Sequence, residues 1–228
     1  MKKIFLFLLI GTLYFSTVSW EVIPMDPVTD DEISTSYSLT IYQQLNNSDL
    51  KFDIFQYALT GYLKLASQDK LNNSKYLTII DMSMSSNEER LFIINMRENK
   101  IEHQSIVAHG KASGNEYAKY FSNTINSHQS SIGFYQTAET YIGKHGLSLR
   151  LDGLEYSNNN ARKRAIVIHS ADYVSESFIK KFGRLGRSFG CPSLPKKDYK
   201  EIIQKIKAGS ALFIYSSDQV YLNKSSLI

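Results

Sequence analysis

The chain has 228 residues, a formal net charge of +4, a mean hydropathy of −0.26 and a single cysteine. One cysteine excludes an intramolecular disulfide framework, and a positive excess this small gives no support for nucleic-acid binding, which usually shows a concentrated basic stripe. The length suits one domain with a sizeable core.

In chain order, Met1-Lys2-Lys3 leads into a nearly continuous apolar stretch from Ile4 to Phe15, then into Ser16-Thr17-Val18-Ser19. A charged start, a short apolar run and small residues predict a secretory signal over 1–19, cut after Ser19. An uncleaved anchor is the rival, but the run is shorter than the ~20 apolar residues a span needs. No cysteine is placed there for lipid attachment. The expected product is an exported protein, periplasmic or wall-associated, with no membrane insertion once the signal is gone.

Residues 20–38 are polar, contain Pro24, Pro27 and Asp30-Asp31-Glu32, and read as an extended lead-in. Phe52, Phe55, Leu59, Tyr62, Leu63 and Ala66 recur at helical spacing and predict an amphipathic helix over 51–67. Residues 20–70 are therefore a lead-in with a helical segment, and 71–228 the main domain.

Beyond Asn72-Asn73-Ser74 the period shortens. Tyr76–Met82, Arg90–Met96 and Ile101–Ala108 predict strands of a meander, continued by 131–137, 147–151 and Ala165–His169. One helix follows the cysteine, opened by Pro195, lined by Tyr199, Ile202, Ile203 and Ile206, and ended by Gly209. Ala211–Tyr215 is the last strand. The class is mainly β (α+β), with a helical N-terminal portion.

Cys191 lies in Arg184-Leu185-Gly186-Arg187-Ser188-Phe189-Gly190-Cys191-Pro192. A lone thiol sent to an oxidising compartment is better explained by reactivity than by packing. Gly190 frees the backbone for an unusual turn, and Pro192 has no N–H to donate. The oxyanion donors are therefore expected to be the N–H groups of Cys191 and Gly190. His169, at the end of an apolar strand, is the candidate base, with the Ser170 carbonyl or Asp172 to orient it. Arg184 and Arg187 could favour the thiolate or grip a carboxylate, against ordinary surface charge as the plainer reading. His109 could line the same pocket or cap a turn. The histidine spacing supports no metal site and no cofactor is expected.

On these residues the chain resembles the murein L,D-transpeptidases with the YkuD-like catalytic domain. The likeness runs through His109-Gly110, Ser113-Gly114-Asn115, Ser131-Ile132-Gly133-Phe134-Tyr135, Leu149 to Glu155, Ile166 to His169 and Gly186 to Pro192. It implies an L,D-transpeptidase-like β-sandwich or meander whose cysteine forms a thioester with a peptidoglycan stem tetrapeptide, releases D-alanine and passes the acyl group to an amine. A 3→3 cross-link results. Carried over by position, Cys191 is the nucleophile, His169 the base and Ser170 the donor of the orienting carbonyl. Ser188, Phe189 and Gly190 form the turn around the oxyanion hole, and Arg187, Arg184 and His109 are the substrate-binding candidates. Carbapenem-type β-lactams are the implied inhibitors. The broader family often has His before Gly-Cys and Arg two residues after the cysteine, where this chain has Phe189 and Ser193. Hydrolysis of the same thioester, as an L,D-carboxypeptidase or amidase, is the alternative. A wall-binding protein without turnover is a more distant one.

Overall fold

The computed structural model describes residues 30–228. The expected signal over 1–19 and the first part of the lead-in lie outside the described residues. The rest of the lead-in is not extended: Asp30–Leu45 form helix α1. From Thr35 onward that helix buries only Ser38, Ile41 and Leu45, one narrow stripe laid against α2 (Phe52–Ser67). So thin a stripe gives little periodic signal, because most of the helix faces water.

Helix α2 buries Ile54, Phe55, Ala58, Leu59, Gly61, Tyr62 and Leu65, a face that packs on the sheet. Gly61 sits in mid-helix for a steric reason. A Cβ there would stand 2.1 Å from Cζ of Phe134, so the ring and the helix backbone share space only glycine leaves.

The sheet has eight strands in the order β3-β2-β1-β8-β4-β5-β6-β7. They are β1 (Tyr76–Asp81), β2 (Leu91–Asn95), β3 (Lys100–Ser105), β4 (Gly133–Gly143), β5 (Gly146–Gly153), β6 (Val167–Ser170), β7 (Ser193–Leu194) and β8 (Ala211–Tyr215). β1, β2 and β3 run as an antiparallel meander, and so do β4, β5 and β6. The final strand joins the two: β8 lies parallel to β1 and antiparallel to β4. β1, β2 and β8 are buried at every position, as strands covered on both faces must be. Phe134 and Phe213 are register partners, stacked with centroids 4.3 Å apart.

Helix α4 runs Tyr199–Ile206, starting at Tyr199 and not at Pro195. Leu194 is held extended by pairing with Ser170, and the chain must turn before it can coil. Ile202, Ile203 and Ile206 are fully buried, each contributing about 1.5–3 kcal/mol of apolar transfer. Two short helices carry no strong sequence signal. α3 (Glu176–Phe182) is capped by Ser175 Oγ, ends at the left-handed Gly183 and has no buried residues; α5 (Gln219–Lys224) is capped by Asp218. Among the described residues no helix is long and apolar enough to cross a membrane.

Candidate active site

Strand β6 is buried along its whole length and delivers His169 to its end. The adjoining two-residue β7 pairs with it in parallel, setting His169 opposite Ser193 and Ser170 opposite Leu194. Cys191 lies two residues before Ser193, so this short ladder brings thiol and imidazole to the same end of the sheet. Both line one cavity of about 570 Å³, together with Arg164, Ala165, Tyr173 and Arg187. Two roomier clefts, of about 720 and 590 Å³, lie nearby and include neither the thiol nor the imidazole. The smaller cavity is the candidate site because only it holds a nucleophile and a base.

The His169 ring is 5% exposed, with Nδ1 2.9 Å from the Ser170 carbonyl oxygen and Nε2 3.1 Å from Ser193 Oγ. A carbonyl only accepts, so Nδ1 carries the ring proton and Nε2 keeps its lone pair. Burial lowers the ring's pKa below the ordinary 6.5; the Ser170 carbonyl opposes this, and His145 and Lys144 add to it. His145, at the tip of the β4–β5 hairpin, stacks on the catalytic-candidate ring with centroids 4.4 Å apart. The ring is therefore neutral at physiological pH, the state a general base requires.

Cys191 is half-buried, and its thiol donates to the Ala165 carbonyl at 3.7 Å. Burial pushes the thiol above its ordinary 9.0, countered by the Val167 N–H and by the positive charges of Arg164 and Lys144. A thiol so placed rests protonated and needs a neighbouring base. Gly190 adopts φ 124°, the left-handed side of the map, and a Cβ on it would meet the Gln129 carbonyl at 2.8 Å. Only glycine fits both limits.

The Gly190 N–H is not free to meet an oxyanion, since it donates to Ser188 Oγ at 3.0 Å, which in turn donates to the Cys191 carbonyl at 2.6 Å. Of the two expected donors, the N–H of Cys191 remains. Ser188 thus shapes the turn from within. Phe189 is 65% exposed at the rim, against His128 at 4.5 Å and under Lys111 Nζ.

The arginines divide differently from the sequence expectation. Arg187 lines the cavity, but its guanidinium is held by the Gly114 carbonyl and Asn115 Oδ1, both at 2.9 Å. Arg184 donates to its own neighbour's carbonyl, Leu185, and does not line the cavity. The cations that act on the sulfur are Arg164 and Lys144, and Arg164 is fixed by four bonds to Ser122 O, Ser131 Oγ, Ser127 Oγ and Gln129 O. In the sequence it closes the basic run Arg162-Lys163-Arg164, which looks like solvated surface; only the following turn into β6 puts it beside Cys191.

His109 does not line the cavity either. It is 1% exposed, and its Nδ1 accepts from Arg90 Nη2 at 2.9 Å. Its segment reaches the site through the backbone: Ser188 N–H donates to His109 O at 2.9 Å, and Lys111 N–H to Ser188 O at 2.8 Å. Those rungs clamp the turn that carries the thiol.

A β-rich domain with thiol and imidazole at one sheet end matches a known class. The chain belongs to the L,D-transpeptidase catalytic domain family, whose model matches residues 46–215. Among solved structures it is similar to an L,D-transpeptidase from Mycobacterium smegmatis, at 10% identity and TM-score 0.39, covering 62% of this chain and 59% of that one. It is also similar to an L,D-transpeptidase from Stackebrandtia nassauensis, at 12% identity and TM-score 0.38, covering 81% of this chain and 78% of that one. A third is L,D-transpeptidase 3 from Mycobacterium tuberculosis, solved with a faropenem-derived adduct, at 10% identity and TM-score 0.40, covering 62% and 60%. The chain thus spans less than two thirds of the mycobacterial enzymes it resembles. No curated protein is significantly similar to it.

Proposed function

We propose that this protein is an exported peptidoglycan L,D-transpeptidase that works through a Cys191 thioester. The observation that carries this reading is the one cavity shared by the only thiol and a neutral imidazole whose proton sits on the far nitrogen. His169 Nε2 takes the thiol proton as sulfur attacks the carbonyl of the third residue of a stem tetrapeptide. The tetrahedral oxyanion is met by the Cys191 N–H, with Arg164 holding positive potential over the sulfur. The imidazolium then returns its proton to the departing D-alanine amine, leaving a thioester. An amine from a second stem attacks the thioester, gives its proton to Nε2 and regenerates the thiol, forming a 3→3 link. Stem peptides are the substrates, and carbapenems are the expected mimics.

The test uses purified protein with disaccharide-tetrapeptide, its products weighed by mass spectrometry. Cross-linked dimers support transfer, tripeptide alone means that water resolves the thioester, and unchanged substrate removes the reading. An intact-mass shift with a carbapenem, absent in Cys191→Ala, tests the nucleophile itself.

A further inference from the structure

In the sequence Ser193 is an ordinary small polar residue two positions after Cys191. In the fold it is fully buried and sits on the working nitrogen of the base. Its Oγ is 3.1 Å from His169 Nε2 and 3.1 Å from the hydroxyl of Tyr173. Tyr173 is part of the cavity wall, and its side chain is fixed by the backbone of Gly186, where a Cβ would come within 2.3 Å of Tyr173 Cβ.

The direction of every bond in this row is forced. The Ser170 carbonyl can only accept, so Nδ1 is the protonated nitrogen and Nε2 must accept. Ser193 has one hydrogen, which goes to Nε2, so its oxygen receives the hydrogen of Tyr173. The row reads Tyr173 O–H to Ser193 O–H to Nε2, with Nδ1–H to Ser170 O behind it.

We infer that Ser193 and Tyr173 are positioning residues for the base, forming a hydroxyl relay that keeps Nε2 free of a proton and reverses when the ring gains one. The inference rests on the reading of His169 as the base. At rest the serine hydroxyl donates to the Nε2 lone pair. Rotation about Cβ–Oγ releases that lone pair to the thiol, and the S–H bond breaks as the Nε2–H bond forms. The new imidazolium N–H can then donate to Ser193 Oγ, whose own hydrogen turns to the Tyr173 oxygen and that of Tyr173 to the cavity. No proton leaves the relay; only its polarity changes. A hydroxyl can serve both ring states in this way because it both donates and accepts.

The experiment follows alkylation of Cys191 by iodoacetamide against pH, together with the ¹⁵N resonances of the His169 ring, in wild type and in Ser193→Ala, Ser193→Thr and Tyr173→Phe. We expect wild-type Nε2 to resonate as an unprotonated, hydrogen-bonded nitrogen. Ser193→Ala should slow alkylation at neutral pH about tenfold and shift Nε2 toward an unbonded acceptor; Tyr173→Phe should slow it about threefold, and Ser193→Thr should restore most of the rate. A protonated Nε2 in the resting wild type would overturn the relay. So would a Ser193→Ala protein with unchanged pH profile and ring resonances. Destabilisation alone would lower the melting temperature and leave the ring resonances of the folded protein in place. Alkylation needs no stem peptide, so a protein that shows these shifts yet transfers no acyl group would keep the relay and lose the transpeptidase reading.

Discussion

His109 and His169 make an instructive pair. Each follows an apolar stretch, each is buried, and each has Nδ1 held at 2.9 Å. The partner differs. A carbonyl holds Nδ1 of His169 and leaves Nε2 basic at the cavity. A guanidinium, which has only donors, holds Nδ1 of His109, so that ring must be protonated at Nε2, a buried atom near the backbone of Gly114 and Asn115. Burial, then the charge of Arg90, pull its pKa down to about 4. The neighbour at Nδ1 decides which histidine can accept a proton and which is fixed as scaffold.

The comparison breaks most plainly by mutation at the two rings. His169→Ala should slow carbapenem acylation of Cys191 by ~10²–10⁴ in stopped-flow or intact-mass kinetics, whereas His109→Gln should stay within a few-fold while lowering the melting temperature. Equal losses would mean that both rings serve the reaction. Next in size is the guanidinium. Arg90 is wholly buried and donates to the Met84 and Val107 carbonyls as well as to His109. Arg90→Met leaves those acceptors unmatched and should cost about 3–5 kcal/mol, read from urea midpoints; a loss below 1 kcal/mol would show the cluster to be dispensable.

A third effect is the pH dependence of stability. With His109 near 4 in the folded state and 6.5 unfolded, the unfolded chain binds the extra proton between those values. Stability from this group is full above pH 6.5 and is lost as pH falls toward 4. The size is about 3 kcal/mol, at roughly 1.4 per unit. Wild type should therefore weaken more than His109→Gln between pH 7 and pH 4, and parallel curves would count against the buried neutral ring. The smallest effect concerns rate. Because burial lowers His169, the acid limb of Cys191 acylation should have its midpoint below pH 6.5, and because burial raises Cys191, base-independent alkylation should climb only above pH 9.0. An acid limb above 6.5 would place the ring in a charged, solvated setting.

Much of this was legible in the sequence, and the failures have physical causes. Helix α2 and strands β1, β2 and β8 carry enough buried apolar side chains to show their period. Helix α1 buries too narrow a stripe, and α3 depends on its caps alone. Cys191 and His169 stand out by residue type and context, so their meeting in one cavity could be anticipated. Arg164, Tyr173 and Ser193 could not: a basic run, a loop tyrosine and a small polar residue acquire their roles only once β6 and β7 pair. Sequence proximity to the thiol became nearness in space for Arg187, which lines the cavity, but not for Arg184, and the fold engages both guanidinium groups with backbone or amide oxygens. Gly190 was identified as a turn, but its N–H was committed to Ser188 by a bond that no spacing rule foretells.

The parallel pairing of His169 with Ser193 has a consequence for engineering. The excursion between the two strands departs and returns at anchored points, and α3 within it buries no residue fully, reaching the interior through Ile179, which packs against the small cluster of Ala108, Ala171, Val174 and Leu185. With an apolar side chain kept at the Ile179 position, that helix can be extended or exchanged for a foreign segment while sulfur and imidazole keep their spacing. The neighbouring cleft lined by Val174, Ser175 and Ile179 would change shape with each exchange, so the accessory surface of this domain can diversify around an unaltered pairing of thiol and imidazole.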